Sequence, residues 1–191
     1  MRALLLLVCA GWIGFAHAVE VAGVNLADRM RISASGPELV LNGSGLRTRF
    51  FFKVYAAGLY LEKKSNTPAA VLALAGPKRV AMHLLRNVSA KEILDALHDG
   101  IAANSSPAEL EKLKPQLAQL DTVMSQLGPV KEGDVVTLDY LPESGTVVTL
   151  NGKAKGDAIA GSALYLALLR VWLGDKPVQD DLKKELLGQP G

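Results

Sequence analysis

Leu41-Asn42-Gly43-Ser44-Gly45-Leu46-Arg47-Thr48-Arg49-Phe50-Phe51-Phe52-Lys53-Val54-Tyr55-Ala56-Ala57-Gly58-Leu59-Tyr60-Leu61-Glu62 is the stretch on which the fold turns. Its Phe, Val, Tyr and Leu content is the bias of a strand. Asn42-Gly43-Ser44-Gly45 reads as a turn that closes a short strand from Glu38 to Leu41. Leu46 to Glu62 then reads as a second strand, with Gly58 marking a bend or bulge. Side chains alternate along a strand, so Arg47, Arg49, Phe51, Lys53 and Tyr55 share one face.

Outward from this stretch, strands and helices come in blocks. Val19 to Ile32 reads as an irregular strand region. Thr67-Pro68 caps and opens a short helix that Gly76 ends. Lys78 to Arg86 alternates, with Val80, Met82 and Leu84 on one face. Ser89 and Glu92 form a capping box at the head of a helix running to about Ala103. Ser106-Pro107 opens another, with Leu110, Leu113, Leu117, Leu120, Met124 and Leu127 at helical spacing. Pro115 predicts a kink in it or a division into two helices. Asp134 to Leu141 and Thr146 to Leu150 read as strands, and Asn151-Gly152 as a tight hairpin turn. Asp157 is positioned to cap a helix from Ala158 to Leu173, and Pro177 to Leu187 reads as a last amphipathic helix. Strands, helices, strands, helices in that order argue for α+β: a largely antiparallel sheet with helices on one face.

The N-terminus reads as an export signal. Met1-Arg2 is a basic start, Ala3 to Ala16 is apolar, and Ala16-His17-Ala18 has the form that signal peptidase cuts. The apolar run is shorter than the roughly 20 residues a bilayer crossing needs. The expected division is therefore a cleaved leader, residues 1–18, and a single domain, residues 19–191, periplasmic or secreted. The one cysteine, Cys9, leaves with the leader, which excludes disulfides and thiol catalysis in what remains. Charge is nearly balanced, 21 Lys and Arg against 19 Asp and Glu, so no strong field favours nucleic acid.

Chemical motifs are scarce. There is no HExxH and no cysteine pair, and only His83 and His98 lie beyond the leader. Metal sites usually lean on histidine, so no metal site is expected. Gly43-Ser44-Gly45 lacks the third glycine of a phosphate loop and leads into a strand. Asn42 stands where a serine-hydrolase elbow needs glycine. What remains is Arg47 with Tyr55. A guanidinium fork and a phenol suit a carboxylate or phenolate. The same residues also suit a solvated face of snorkelling cations.

Leu41-Asn42-Gly43-Ser44-Gly45-Leu46-Arg47 and Phe52-Lys53-Val54-Tyr55-Ala56-Ala57-Gly58-Leu59-Tyr60-Leu61 resemble the chalcone isomerase-like family, especially its exported bacterial branch. The likeness continues through Lys78 to Arg86 and the Ser89 capping box. It resumes at Leu168-Leu169-Arg170-Val171-Trp172-Leu173-Gly174. The resemblance implies an open-faced α+β sandwich with a ligand cleft between sheet and helices. Plant members cyclise chalcones without a cofactor; others bind fatty acids, holding the carboxylate with an arginine and a tyrosine. Arg47 falls where both branches keep their cleft arginine. Tyr55 falls where isomerases carry a threonine and fatty-acid binders a tyrosine. The isomerases' helix tyrosine and asparagine have no match in Ala90 to His98, which counts against chalcone cyclisation.

The resulting expectation is a cofactor-free protein that binds a small amphipathic ligand, a fatty acid or similar carboxylate, through Arg47 and Tyr55. The helices after Ala90 and Ala158 would wall the apolar part of the cleft. No catalytic residue is assigned. The alternatives are an isomerase or intramolecular lyase acting on a phenolic or enone substrate, and a partner-binding envelope protein with a vestigial cleft. Ligand identity and oligomeric state stay open. On a straight strand Arg47 and Tyr55 stand roughly 26 Å apart. They meet only if the chain bulges or folds back between Thr48 and Lys53.

Overall fold

Alternating apolar residues build the sheet, and capped amphipathic segments build the helices that cover it. The computed structural model describes residues 18–191. All of the expected leader except Ala18 lies outside the described residues.

Three short strands come first: β1 (Ala18–Val21), β2 (Val24–Ala27) and β3 (Arg29–Arg31). Two long ones follow, β4 (Glu38–Arg49) and β5 (Phe52–Leu61), then α1 (Pro68–Ala73) and β6 (Lys78–Leu84). A helical block comes next: the two-residue β7 (Val88–Ser89), α2 (Ala90–Ala103), α3 (Pro107–Ser125) and the two-residue β8 (Pro129–Val130). The chain ends with β9 (Val135–Leu141), β10 (Gly145–Leu150), β11 (Lys153–Ala154), α4 (Ala163–Leu173) and α5 (Asp180–Leu186). Seven strands form one sheet in the order β11-β10-β9-β6-β5-β4-β3. Every neighbouring pair in it is antiparallel.

The caps form where the sequence places them. Ser89 Oγ accepts from the Glu92 N–H while Glu92 answers the Ser89 N–H, and Ser106 with Glu109 does the same at the head of α3. Thr67 caps α1. Pro115 does not divide the segment into two helices: α3 runs on through it as one helix. Pro115 and Glu111, the residue whose carbonyl loses its partner, both face solvent, where water satisfies that oxygen.

Val80, Met82 and Leu84 of β6 point inward with Val136, Leu138 and Val148. Against them pack Leu97 and Ile101 of α2, Leu120 and Met124 of α3, and Leu164, Leu168, Val171 and Trp172 of α4. The other face of the sheet carries a smaller core: Leu26, Leu39, Leu41, Tyr60 and Ala81 beneath the β1–β2 hairpin. Beside it Arg79 grips Asp139 with two bonds, 2.6 and 2.5 Å, and Asp139 is almost fully buried.

Three sequence expectations are corrected here. Asn42-Gly43-Ser44-Gly45 is not a turn but the middle of β4. Its glycines serve close packing: a Cβ on Gly43 would run into the Glu185 and Leu186 carbonyl oxygens, and one on Gly45 into the Glu185 carboxylate. Leu46 to Glu62 is not one strand but two arms of a hairpin that reverses at Phe50-Phe51. Gly58 pairs regularly with Ser44 and Ala81, and a Cβ there would meet Tyr60, Leu26 and Leu41. Lastly, the final long helix begins at Ala163, not Ala158. Ile159 instead makes a two-bond bridge to Thr146, 2.8 Å each way, and Gly161 adopts φ +87° before the helix starts.

Candidate functional site: a cationic cleft under the β4–β5 hairpin

The reversal at Phe50-Phe51 decides the site. Arg47 and Tyr55, separated by seven residues in sequence, become direct cross-strand partners. Beside them the register shifts: Arg47 faces Tyr55, but the next residue, Thr48, faces Lys53, so Val54 is the extra residue of a bulge on β5. A bulge interrupts strict alternation and re-aims side chains. Val54 and Tyr55, neighbours in sequence, therefore both reach the same cavity.

That cavity, of about 110 Å³, lies between the hairpin and the helices. Its apolar wall comes from Met82 and Leu84 of β6, Ile93 and Leu97 of α2, Val136 of β9, and Val171 and Trp172 of α4. Three arginines, Arg47, Arg49 and Arg86, and one carboxylate, Glu92, make its polar end. Arg86 approaches Glu92 at 3.9 Å. The remaining two arginines have no salt bridge among the described residues. The cleft is thus electropositive and apolar at once.

Arg47 is half-buried. Its Nη1 donates to the Thr48 carbonyl at 2.5 Å and to Gln179 Oε1 at 3.2 Å. Gln179 does more than hold the guanidinium. Its amide takes the Thr48 N–H at 3.0 Å and gives a hydrogen bond to the Leu46 carbonyl at 3.1 Å. Beyond Leu41 no strand among the described residues pairs the outer edge of β4; Gln179 and Glu185, which accepts from the Leu46 N–H at 3.2 Å, stand in for one. An unpaired edge is thereby closed by side chains.

Tyr55 points its hydroxyl inward, where Trp172 Nε1 donates to it at 2.9 Å. Burial pushes the phenol pKa up; the Trp172 bond and the Arg47 charge pull the other way with less effect. The hydroxyl is therefore protonated at neutral pH and, with one lone pair engaged by the indole, has its own proton to give. A neutral phenol donor beside a permanent cation suits a carboxylate or another oxyanion.

The structure brings Arg47 and Tyr55 together and adds partners that sequence reasoning missed. Trp172 lay inside a resembling motif without a role; Gln179 carried no signal, since it acts from 132 residues away. Arg49, to which the sequence reading gave no role, also lines the cavity, though exposed. Lys53, expected on the same face, does not line it. Of the helix expected after Ala158, residues Ala158 to Ser162 lie outside this cleft, and the wall is supplied by its far end, Val171 and Trp172. His83 is half-buried in β6, its pKa lowered by burial, and His98 bonds Asp121 at 2.6 Å between α2 and α3. Neither lines the cavity. Among the described residues no three of His, Cys, Asp and Glu gather as a metal site would require, and no helix is long and apolar enough to cross a membrane.

A large antiparallel sheet, helices over one face and a cleft between them define an open-faced α+β sandwich. The same fold is found in a solved structure of a fatty-acid binding protein from Arabidopsis thaliana: TM-score 0.63 at 14% identity, covering 90% of this chain and 96% of that one. No curated protein matches the chain in sequence. The chalcone isomerase-like family model matches residues 18–188, and the chain belongs to that family.

Proposed function

We propose that this protein is an exported, cofactor-free binder of a small amphipathic carboxylate, a fatty acid or a close relative. The observation that carries the reading is the cross-strand pairing of Arg47 with Tyr55 at the polar end of an apolar cavity. Arg47 supplies the charge, the protonated Tyr55 a second donor, and Met82, Leu97 and Val136 receive the apolar tail. The similar fold of a fatty-acid binding protein supports the class of ligand. The cavity, about 110 Å³, falls below the roughly 300 Å³ at which pockets for drug-sized ligands begin. It holds a head group and the start of a tail; a long acyl chain needs more room than the cavity provides.

Binding is preferred over chalcone cyclisation because α2 presents Glu92, Ile93, Ala96 and Leu97 to the cleft, with no tyrosine or asparagine among them. Export rests on the basic start, apolar run and Ala16-His17-Ala18 of the first eighteen residues.

The test is native mass spectrometry with lipid extraction on protein purified from its producing cell, combined with N-terminal sequencing. A co-purifying acyl carboxylate and a chain beginning at Val19 are expected. Saturable turnover of a hydroxychalcone, abolished in Arg47→Ala, would overturn the binding reading in favour of an isomerase.

A further inference from the structure

The chain has four phenylalanines, and three of them are Phe50, Phe51 and Phe52 at the tip of the β4–β5 hairpin. None of the three enters the core: they are 85%, 100% and 62% exposed. Single exposed apolar residues are ordinary, but contiguous large ones mark a contact surface. The turn also gains little burial from them. Phe50 sits at φ +55°, a conformation that glycine or asparagine takes far more readily. Backbone strain kept at an exposed aromatic points to a role outside the fold.

The surroundings of the tip say what it meets. Arg49 places its guanidinium carbon 5.9 Å from the centre of the Phe50 ring, and Arg86 places its own 5.9 Å from that of Phe52. Lys53 is exposed on the next residue of β5. Glu92 is the acidic side chain beside them, and it already faces Arg86. An aromatic point ringed by cations matches the interfacial layer of an anionic bilayer, with rings among the acyl ends of the head groups and cations at the phosphates. A folded protein partner fits less well. Three phenylalanine rings bury about 150–250 Å² each, short of the roughly 800 Å² per side of a stable protein interface.

We propose that the β4–β5 hairpin tip is a membrane-docking element that inserts Phe50, Phe51 and Phe52 into the surface of an anionic phospholipid bilayer, with Arg49, Lys53 and Arg86 against the head groups. Arg49 and Arg86 also line the cleft, so docking sets the mouth of the cavity at head-group level. The inference rests on the exposed tip and not on what the cleft holds.

The experiment is flotation of the purified protein with vesicles of phosphatidylglycerol and phosphatidylcholine, at low and at high salt. The wild type floats with the anionic vesicles and much less with pure phosphatidylcholine or at high salt. The variant F50S/F51S/F52S binds at least about tenfold more weakly, since burial of even one phenylalanine side chain is worth that factor. R49S/K53S loses the preference for anionic lipid. A tryptophan at the tip, F51W, shifts its emission to the blue on vesicle addition. Thermal melts show that the variants are folded, as the altered side chains touch no core. Absence of flotation by the folded wild type at low salt, or equal flotation by F50S/F51S/F52S, overturns the proposal. So does a wild-type dimer in sedimentation that this variant dissolves while vesicles are ignored, because a second copy is then the occupant. Titration with a fluorescent fatty acid separates the two readings: F50S/F51S/F52S retains wild-type affinity if cleft and tip act independently.

Discussion

The two ends of the β4–β5 hairpin are built from the same pair of strands and could hardly differ more. At the base, Leu41, Gly43 and Gly45 pair with Tyr60, Leu59 and Ala57, Asn42 is the extra residue of a bulge, and α5 presses against one edge. Asn42 is buried there and ties three segments together: its Nδ2 donates to the Leu186 carbonyl and its Oδ1 accepts from the Ser65 N–H, both at 2.7 Å. At the tip, the side chains are Arg47, Arg49, the three phenylalanines and Lys53, and the register slips a second time. One end spends its residues on close packing and satisfied polar groups. The other holds unpaired cations, exposed rings and a strained φ. Stability resides at the base, and the features that suit recognition collect at the tip, a division expected where sites ride on a rigid scaffold.

Substitutions test that division. The largest effect should come at the base. Gly43→Ala forces a Cβ into the backbone of α5, which cannot simply rotate away. Overpacking of this kind costs about 1–3 kcal/mol, and chemical denaturation should show a loss at the top of that range with no direct effect on the cleft. A variant as stable as wild type would mean that α5 is not seated on Gly43 as described.

At the tip, Arg47→Ala should act on binding instead. A charge-assisted hydrogen bond from the half-buried Arg47 is worth roughly 1.5–3 kcal/mol, so titration with a fluorescent fatty acid should weaken about tenfold or more. Arg47→Lys should restore only part, for want of the planar fork. Arg49→Ala should cost less than Arg47→Ala, because Arg49 is exposed and its attraction is screened. Equal affinity for wild type and a folded Arg47→Ala would remove the anchor.

Tyr55→Phe lies between the two ends in kind. It leaves the Trp172 indole N–H without its partner and deletes the second donor to the ligand. About 1 kcal/mol of stability and a loss of affinity of several-fold are expected, read by melting and titration on one preparation. The smallest effect should have the opposite sign. Phe50→Gly relieves the left-handed strain at φ +55°, worth about 1–2 kcal/mol, and gives back part of that through the greater freedom of unfolded glycine. The melting temperature should rise slightly. A fall would show that the Phe50 ring packs in solution and is not held for an outside contact.

How much of this was legible beforehand follows from the range of each interaction. Ser89 with Glu92, the α3 apolar spacing, the inward trio Val80, Met82 and Leu84, and the Asn151-Gly152 turn were all readable. Each depends on residues two to four apart, and there the local rules of capping and periodicity apply. Their order was enough to indicate α+β with an antiparallel sheet. Gly43 and Gly45 were misread because glycine signals either a turn or a close approach, and only the arrival of α5 from over a hundred residues away selects between them. Asp157 was misread as a helix cap for a similar reason: the bridge between Thr146 and Ile159 claims the segment for the sheet edge.

By itself, then, the sequence determined most of the element types, the fold class and the residue kinds of the cleft, an arginine and a tyrosine along one apolar stretch. Only the tertiary structure decided that they meet. The reversal at Phe50-Phe51 has no glycine, proline or asparagine to announce it, so the chain reads as straight until β4 and β5 are seen paired. Trp172 reaches Tyr55 across 117 residues and Gln179 reaches Arg47 across 132. Contacts at such separations are selected by the packing of whole elements, which no local pattern of side chains encodes.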